Sequence, residues 1–182
     1  MDEGPDASNL GEEDGIAVVS SQHLVPPQLP AWAQFEYGLI LAWHAFARWM
    51  VRCMAAAGEA EAAPTDVLVL HHLRHRGTPK RIADIAFVLD IEDTHVVSYS
   101  LKKLVKKGWA RSQRKGKETW FEVTEAGMAL CERYRTIREK CLIEHLTTGE
   151  GENRRLVELA RALRKISGDY DAAARAATTN RS

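Results

Sequence analysis

Hydrophobic side chains recur every three, four or seven residues along several stretches of the chain, which is the spacing of one face of an α-helix. The first stretch, residues 31–57, is apolar around most of its circumference. It predicts a long helix that packs against more than one partner, such as a second subunit. A second helix is predicted to begin at Thr65 or Asp66, which suit a capping position, and to end at Arg76, before Gly77.

The centre of the chain has the pattern of two helices joined by a tight turn. A short helix is predicted over 80–89 and the turn over 90–93. A second helix, capped by Asp93 or Thr94, is predicted to extend to Lys107, with Gly108 ending it. On a helical wheel this second helix divides into two faces. Its apolar face consists of Val97, Leu101, Leu104 and Val105. Its polar outer face consists of His95, Ser98, Tyr99, Lys102, Lys103 and Lys106.

A β-hairpin and two further helices complete the predicted elements. The segment 109–112 is predicted to pair with 119–123 around a lysine-rich turn. Thr124 is predicted to cap a long helix that extends to Leu146, and glycines then separate it from a last helix that starts at Asn153. The sequence therefore predicts a mainly α fold with one small β-hairpin.

Charge is strongly segregated along the chain, although its net charge is zero. Residues 1–30 contain six acidic residues and no lysine or arginine. We interpret 1–29, which also lack hydrophobic periodicity, as a disordered arm that either only aids solubility or covers a basic face of the protein. Residues 76–117 contain eleven basic and four acidic residues, a net charge of +7. This asymmetry indicates an anionic partner for the basic segment.

Several classes of protein are disfavoured by the motifs that the sequence lacks. No stretch approaches the roughly 18 uninterrupted apolar residues of a membrane span. No basic region followed by an apolar core marks a secretory signal, so we expect a cytoplasmic protein without membrane contact. Nucleophile-elbow, phosphate-loop and metalloprotease motifs are also missing, which argues against an enzyme and against a cofactor.

Cysteine and histidine residues raise two further hypotheses. Cys53, Cys131 and Cys141 are an odd number without CxxC spacing, so we expect reduced thiols. The alternative is a thiol-responsive regulator that uses Cys53. His71 and His75 lie one helical turn apart, as zinc ligands do, but no nearby cysteine or carboxylate cluster completes a site. We therefore expect no bound metal.

The polar face of the second central helix suits the major groove of duplex DNA, because a recognition helix needs a buried face that fixes its angle and a polar face that reaches base edges. The residues assigned to base edges are His95, Ser98, Tyr99 and Lys102. Lys103 and Lys106, nearer the C-terminal end, are assigned to phosphates. The residues assigned to the minor groove or the backbone from the hairpin tip are Arg114, Lys115 and Lys117. The alternative is a protein–protein interaction module whose basic face docks an acidic partner.

The order and lengths of these elements resemble the MarR family of bacterial transcription regulators. The resemblance rests on PTDVLVLHHLRHRG, PKRIADIAFVLD, LKKLVKKGW and the Thr-x-x-Gly helix start in FEVTEAG, and covers about residues 64–130. It implies a winged helix-turn-helix protein whose long flanking helices form a homodimer on a palindromic operator in double-stranded DNA. Many members are repressors that a small-molecule effector releases from DNA. The wing departs from the family, since its tip reads RKGKE where members usually have an Asp-x-Arg run.

The resemblance divides the chain into five parts. These are an acidic arm over 1–29, an N-terminal dimerisation helix and loop over 30–63, a winged helix-turn-helix DNA-binding domain over 64–124, C-terminal dimerisation helices over 125–177 and a frayed tail over 178–182. The predicted function is that of a sequence-specific DNA-binding transcription regulator, and the resemblance implies a repressor.

Overall fold

A computed structural model describes residues 30–146 and 149–179, so the arm predicted over 1–29 lies outside the described residues. The described residues form six α-helices and one antiparallel hairpin. In chain order these are α1 (Pro30–Ala56), α2 (Pro64–Arg74), α3 (Ile82–Leu89), α4 (Thr94–Lys106), β1 (Ala110–Lys115), β2 (Glu118–Val123), α5 (Glu125–Cys141) and α6 (Glu150–Thr179). The predicted fold class, mainly α with a small hairpin, is confirmed. None of the described helices is long and apolar enough to cross a membrane.

The chain divides into two compact units after Ile137, and the first unit contains the hydrophobic core. At the centre of this core are leucines of α2, α4 and α5 that expose at most 1% of their surface. They are Leu70, Leu73, Leu101, Leu104 and Leu130. Burying one such side chain stabilises the folded state by about 1.5–3 kcal/mol. The cluster therefore holds α4 firmly against the rest of the unit.

Helix α1 takes part in this core only through its C-terminal third. Met50 and Met54 are buried there, whereas Leu41, Trp43 and Phe46, nearer the N-terminus, are 52%, 50% and 51% exposed. Large apolar side chains exposed in a contiguous run mark an interaction surface more often than isolated ones do. Among the described residues, the apolar surface for which the sequence predicts a further partner is therefore exposed.

The ends of α2 differ from the prediction. Ala63 occupies the capping position, and Asp66 lies inside the first turn, where its carboxylate accepts a hydrogen bond from the Ala63 N–H at 2.9 Å. The helix ends at Arg74 rather than Arg76, because Arg76 and Gly77 adopt left-handed φ angles of 63° and 58° in a 3₁₀ turn. Asp66 is thus a buried residue of the helix rather than its cap.

Helix α3 begins at Ile82, two residues after the predicted start at Lys80. The backbone of Lys80 instead forms a β-bridge with Phe121 of β2, with both N–H···O distances at 2.8 Å. Its ammonium donates to the carbonyl oxygens of Leu73, His75 and Thr78 at 3.3, 2.7 and 3.0 Å. Burial lowers the pKa of Lys80, and the nearby Arg76 lowers it further. Lys80 therefore joins the hairpin to the end of α2.

The hairpin strands are longer than predicted, and the last two helices have other ends. Both strands have six residues, with Lys115 opposite Glu118 across a two-residue turn. The Thr124 hydroxyl accepts from the Gly127 N–H at 3.1 Å and donates to the Gly108 carbonyl at 2.7 Å, so its predicted capping role is confirmed. Helix α5 ends at Cys141 rather than Leu146, where a 3₁₀ turn follows.

The second unit consists mainly of α6, which begins at Glu150 rather than Asn153 and includes Thr178 and Thr179 of the predicted frayed tail. None of its described residues is buried. Its apolar stripe, predicted from the spacing of leucines, includes Leu156, Leu159 and Leu163 at 54%, 53% and 40% exposure. An amphipathic helix with its apolar stripe exposed lacks the burial that normally stabilises such helices in proteins.

Candidate nucleic-acid interface

Helix α4 is fixed by a cap at its start and an apolar face along its length. The Asp93 carboxylate accepts a hydrogen bond from the His95 N–H at 2.8 Å, as predicted for an N-cap. Val97, Leu101 and Leu104 are at most 1% exposed. The opposite face of the helix is therefore held at a defined angle toward solvent, which is the property a recognition helix requires.

The predicted outer-face residues divide into two groups in the structure. His95, Tyr99, Lys102 and Lys106 are exposed, and Tyr99 is 73% exposed. Ser98 and Lys103 are half-buried. Within the described ranges, the ammonium groups of Lys102 and Lys106 form no ion pair. We call these two residues the open lysines.

Lys103 points toward the body of the domain. Its ammonium donates to the Asp66 carboxylate at 2.7 Å and to the Glu61 carbonyl at 2.6 Å. Asp66 also accepts a hydrogen bond from the hydroxyl of Ser100 at 2.8 Å, and its side chain is only 5% exposed. Asp66 therefore holds α4 against the start of α2 through Ser100 and Lys103.

Lys107, just after α4, is paired in a similar way. Its ammonium lies 2.7 Å from the carboxylate of Glu61 and 3.2 Å from that of Glu59. Glu61, and then Glu59, raises the pKa of Lys107, and Lys107 lowers the pKa of Glu61. We call Glu59, Glu61 and Asp66 the acidic clamp, because together they hold Lys103 and Lys107.

Sequence reasoning missed the acidic clamp. Its members lie in the loop after α1 and in the first turn of α2, some 35 to 50 residues before the lysines that they hold. A helical wheel of α4 shows which positions face outward, but not which carboxylates of another segment meet them. The buried polar positions Asp66 and Ser100 carry no distinctive sequence signal.

An open depression of about 480 Å³ lies beside the outer face of α4. Its lining residues are Glu61, Tyr99, Lys102, Lys103, Lys106 and Lys107. It thus brings the open lysines and the paired lysines to one surface, together with one carboxylate and one aromatic ring. The positive charge of that surface favours binding of a polyanion, whereas the negative charge of Glu61 disfavours it.

The three cations predicted at the hairpin tip are all exposed. The Arg114 guanidinium donates to the Gly116 carbonyl at 3.3 Å. The Lys115 ammonium lies 5.8 Å from the centre of the Trp120 ring, within the range of a cation–π contact. Lys117 occupies the two-residue turn. The hairpin therefore presents three positive charges to solvent at its tip.

The hairpin is joined to the start of α3 by Arg81, which contacts β2 close to the turn. Its guanidinium donates to Asp84 at 2.9 Å through two nitrogen atoms and to Glu118 at 2.8 Å, and it lies 5.4 Å from the centre of the Trp120 ring. Arg81 lowers the pKa of Asp84 through these hydrogen bonds. This network fixes the direction of the hairpin relative to α3.

The basic residues of 76–117, the segment with a net charge of +7, differ in their partners. Four of its eleven basic residues form ion pairs with carboxylates, namely Arg81, Lys103, Lys107 and Arg111. Lys80 is bonded to backbone carbonyls. Within the part of the chain that the structure describes, the remaining six form no ion pair, and they are Arg76, Lys102, Lys106, Arg114, Lys115 and Lys117. The accessible positive charge is thus concentrated on α4 and the hairpin tip.

Cys53 and His71, on which the thiol and metal hypotheses depend, both contact Tyr134 of α5. Cys53 is 1% exposed and donates a hydrogen bond to the Tyr134 carbonyl at 3.5 Å. The His71 ring makes an edge contact with the Tyr134 ring, with 4.5 Å between centres, and burial lowers its pKa. Among the described residues, no group of three or more potential ligands could hold a metal ion. The buried Cys53 thiol is a poor target for oxidants, because reactive thiols are accessible thiolates.

Comparison with known proteins agrees with this geometry. Residues 63–127 match the family of winged helix DNA-binding domains. Among solved structures, the chain is similar to AbfR of Staphylococcus epidermidis, with 17% identity, a TM-score of 0.62 and coverage of 82% of this chain and 99% of that one. It is similar to a mutant MarR from E. coli complexed with operator DNA, at 17% identity, a TM-score of 0.60, and 79% and 96% coverage. It is also similar to the transcriptional regulator BldR from Sulfolobus solfataricus, with 14% identity, a TM-score of 0.61 and coverage of 78% of this chain and 99% of that one.

No curated protein sequence matches the chain. The class is nevertheless clear, since α2–α4 and the hairpin form a winged helix domain and the hairpin is its wing. More narrowly, the chain has the winged-helix fold of MarR-type transcription regulators, so the predicted resemblance is confirmed.

Proposed function

We propose that the protein binds double-stranded DNA as a transcription regulator, with α4 as its recognition helix. The observation that carries this proposal is the state of the open lysines: they are exposed, unpaired among the described residues, and mounted on a helix whose other face is buried. A solvent-facing charge on a rigid helix is suited to phosphate and base contacts. A winged-helix regulator fold also agrees with a protein that is not an enzyme.

The outer-face residues then take different roles. Tyr99, His95 and Ser98 are assigned to base edges, together with Lys102, which precedes Lys106 by one helical turn. Lys106 is assigned to a phosphate. The wing residues are assigned to the adjacent minor groove or backbone, and they are Arg114, Lys115 and Lys117. Lys103 is assigned to positioning the helix, because its ammonium is held by Asp66 and the Glu61 carbonyl.

The double variant Lys102→Ala/Lys106→Ala tests the DNA assignment. We expect weaker binding to duplex DNA and a plot of log affinity against log salt whose slope is smaller by about one unit, because each phosphate contact contributes roughly 0.9 and Lys106 is the phosphate contact of this pair. Fluorescence polarisation with a labelled duplex at several salt concentrations measures both quantities.

The matched control is Arg161→Ala/Lys165→Ala on α6. It removes the same charge from two residues at the same spacing, on the face opposite the apolar stripe, and should leave the slope unchanged. An equal slope for the open-lysine variant and the wild type would refute the phosphate assignment. Failure of the wild type to bind random duplex at low salt would refute DNA binding itself and favour an acidic protein partner.

We further propose that the protein acts as a homodimer through its flanking helices. The supporting observation is the exposed apolar surface of α1 and of α6, each considered by itself. Two winged helices related by a two-fold axis would read a palindromic site. From the family resemblance alone, we extend this proposal to a repressor of transcription that a small-molecule effector releases from DNA.

The double variant Leu156→Glu/Leu159→Glu tests the homodimer. These side chains are about half exposed in the single chain, so we expect the fold to persist while the dimer dissociates. Sedimentation equilibrium should give a dimer mass for the wild type and for Arg161→Ala/Lys165→Ala, and a monomer mass for the leucine variant. A monomeric wild type at tens of micromolar protein would contradict the proposal.

A further inference from the structure

We propose that Glu61 is a specificity determinant: it holds the Lys107 ammonium away from DNA phosphates and so limits binding to DNA of any sequence. This inference rests on the proposed DNA-binding function and concerns the same surface. It makes the acidic clamp a functional part of the interface, in addition to its effect on the packing of α4.

The four lysines at the end of α4 form two pairs, one without and one with carboxylate partners. Lys102 and Lys106 are one helical turn apart and exposed, and among the described residues they have no carboxylate partner. Lys103 and Lys107 are also one turn apart, and both are held by the acidic clamp. A lysine that is already paired with a carboxylate has no free charge for a phosphate, so it does not add to sequence-independent affinity.

The members of the acidic clamp are not equivalent. Asp66 is almost completely buried and accepts hydrogen bonds from Ala63, Ser100 and Lys103, so its contact is permanent in the folded state. Glu61 has a 74% exposed side chain and lies on the rim of the depression beside α4. Within the acidic clamp, Glu61 is therefore the carboxylate that competes in water with an incoming phosphate for an ammonium group.

The position of Lys107 makes this competition relevant to DNA. It lines the same depression as Tyr99 and the open lysines, so a duplex that contacts these residues passes close to it. Without Glu61, Lys107 would keep only its longer contact with Glu59, at 3.2 Å, and its exposed ammonium could then make a further phosphate contact that is independent of sequence. With Glu61 in place, a larger share of the binding free energy comes from base contacts, which raises the ratio of specific to non-specific affinity.

The variant Glu61→Gln tests the inference, because it removes the charge and keeps the shape. The Glu61 backbone carbonyl that binds Lys103 is unchanged, so the packing of α4 should persist. We expect roughly tenfold tighter binding to random duplex at low salt, and a salt slope larger by about one unit. Polarisation titrations across a salt series measure both, and the unfolding midpoint checks the fold.

Glu92→Gln is the matched control. Glu92 is an exposed carboxylate in the turn before α4, and among the described residues it has no ion pair. Its removal changes the net charge by the same amount without releasing a lysine, so the salt slope should stay as in the wild type. Equal effects of the two variants would show a general electrostatic influence and overturn the proposal.

A double-variant cycle with Lys107→Gln tests whether the effect of Glu61→Gln on the salt slope depends on Lys107. In the Lys107→Gln background, Glu61→Gln should no longer change the salt slope, because no ammonium is left to release. A persistent effect there would also overturn the proposal. Failure of the wild type to bind duplex would remove the DNA function as a whole. Normal binding that depends on the open lysines, with Glu61→Gln behaving as Glu92→Gln, would remove only this inference.

Discussion

Replacing Asp66 by alanine is expected to lower the free energy of unfolding by about 3 kcal/mol, since it leaves a buried hydroxyl without its acceptor and a partly buried ammonium without its counter-charge. The Lys103 ammonium loses its 2.7 Å contact and the Ser100 hydroxyl its 2.8 Å contact, while the Ala63 N–H loses the acceptor that closes the first turn of α2. Ser100 is 1% exposed, so water cannot easily replace the carboxylate. Urea unfolding followed by circular dichroism measures the loss.

Two further variants identify the cause of that loss. Glu92→Ala removes an exposed carboxylate from the same unit and should change the free energy of unfolding by less than about 0.5 kcal/mol. Adding Lys103→Met to Asp66→Ala should recover part of the stability, because the unpaired charge is then gone. A loss for Asp66→Ala as small as that for Glu92→Ala would mean that the acidic clamp does not stabilise α4.

Gly127→Ala is expected to be the second strongly destabilising change, with a loss of about 3 kcal/mol. A Cβ atom at this position would lie 2.1 Å from the Trp109 carbonyl oxygen and 2.8 Å from a methyl carbon of Val123. The first contact is with backbone, so α5 would have to move away from the loop between α4 and β1. That movement would also weaken the Thr124 cap, whose hydroxyl joins Gly108 to Gly127. The unfolding midpoint in urea reports the effect.

Gly38→Ala provides the comparison within the same unit. Gly38 lies on an exposed part of α1, and a Cβ atom there would meet no atom within 4 Å. Because alanine favours a helix over glycine by up to about 1 kcal/mol, this variant should be neutral or slightly more stable. Comparable midpoints for the two alanine variants would contradict the close approach of α5 to Trp109.

The sequence was sufficient for the buried face of α4 and for the caps of α4 and α5, although not for the cap of α2. Val97, Leu101 and Leu104 have the spacing of a buried helix face, and Asp93 and Thr124 have the chemistry and position of N-caps, so these features were predicted correctly. The start of α3 was wrong because the segment after Pro79 follows a helical pattern, while Lys80 pairs with Phe121 far along the chain. Local patterns do not contain such long-range pairings.

The candidate site was predictable at the level of the helix face but not of the individual lysine. Lys103 and Lys106 look alike on a helical wheel, and both were assigned to phosphates. In the fold, Lys103 meets Asp66, whereas Lys106 remains exposed. The difference arises from where α2 and its preceding loop cross α4, which is a tertiary property. Charge counted along a sequence therefore overstates the charge that a partner meets.

The junction made by Lys80 bears on how an operator would be read. Its backbone pairs with β2 and its ammonium closes the end of α2, so the wing is tied to the body that carries α4. The wing and the recognition helix should then move together as one rigid body. In the proposed homodimer, a conformational change would alter the separation and tilt of the two DNA-binding domains rather than the contacts within each. After such a change, the number of base pairs between the two half-sites, more than the base sequence of each half-site, would decide which operators the dimer can still bind.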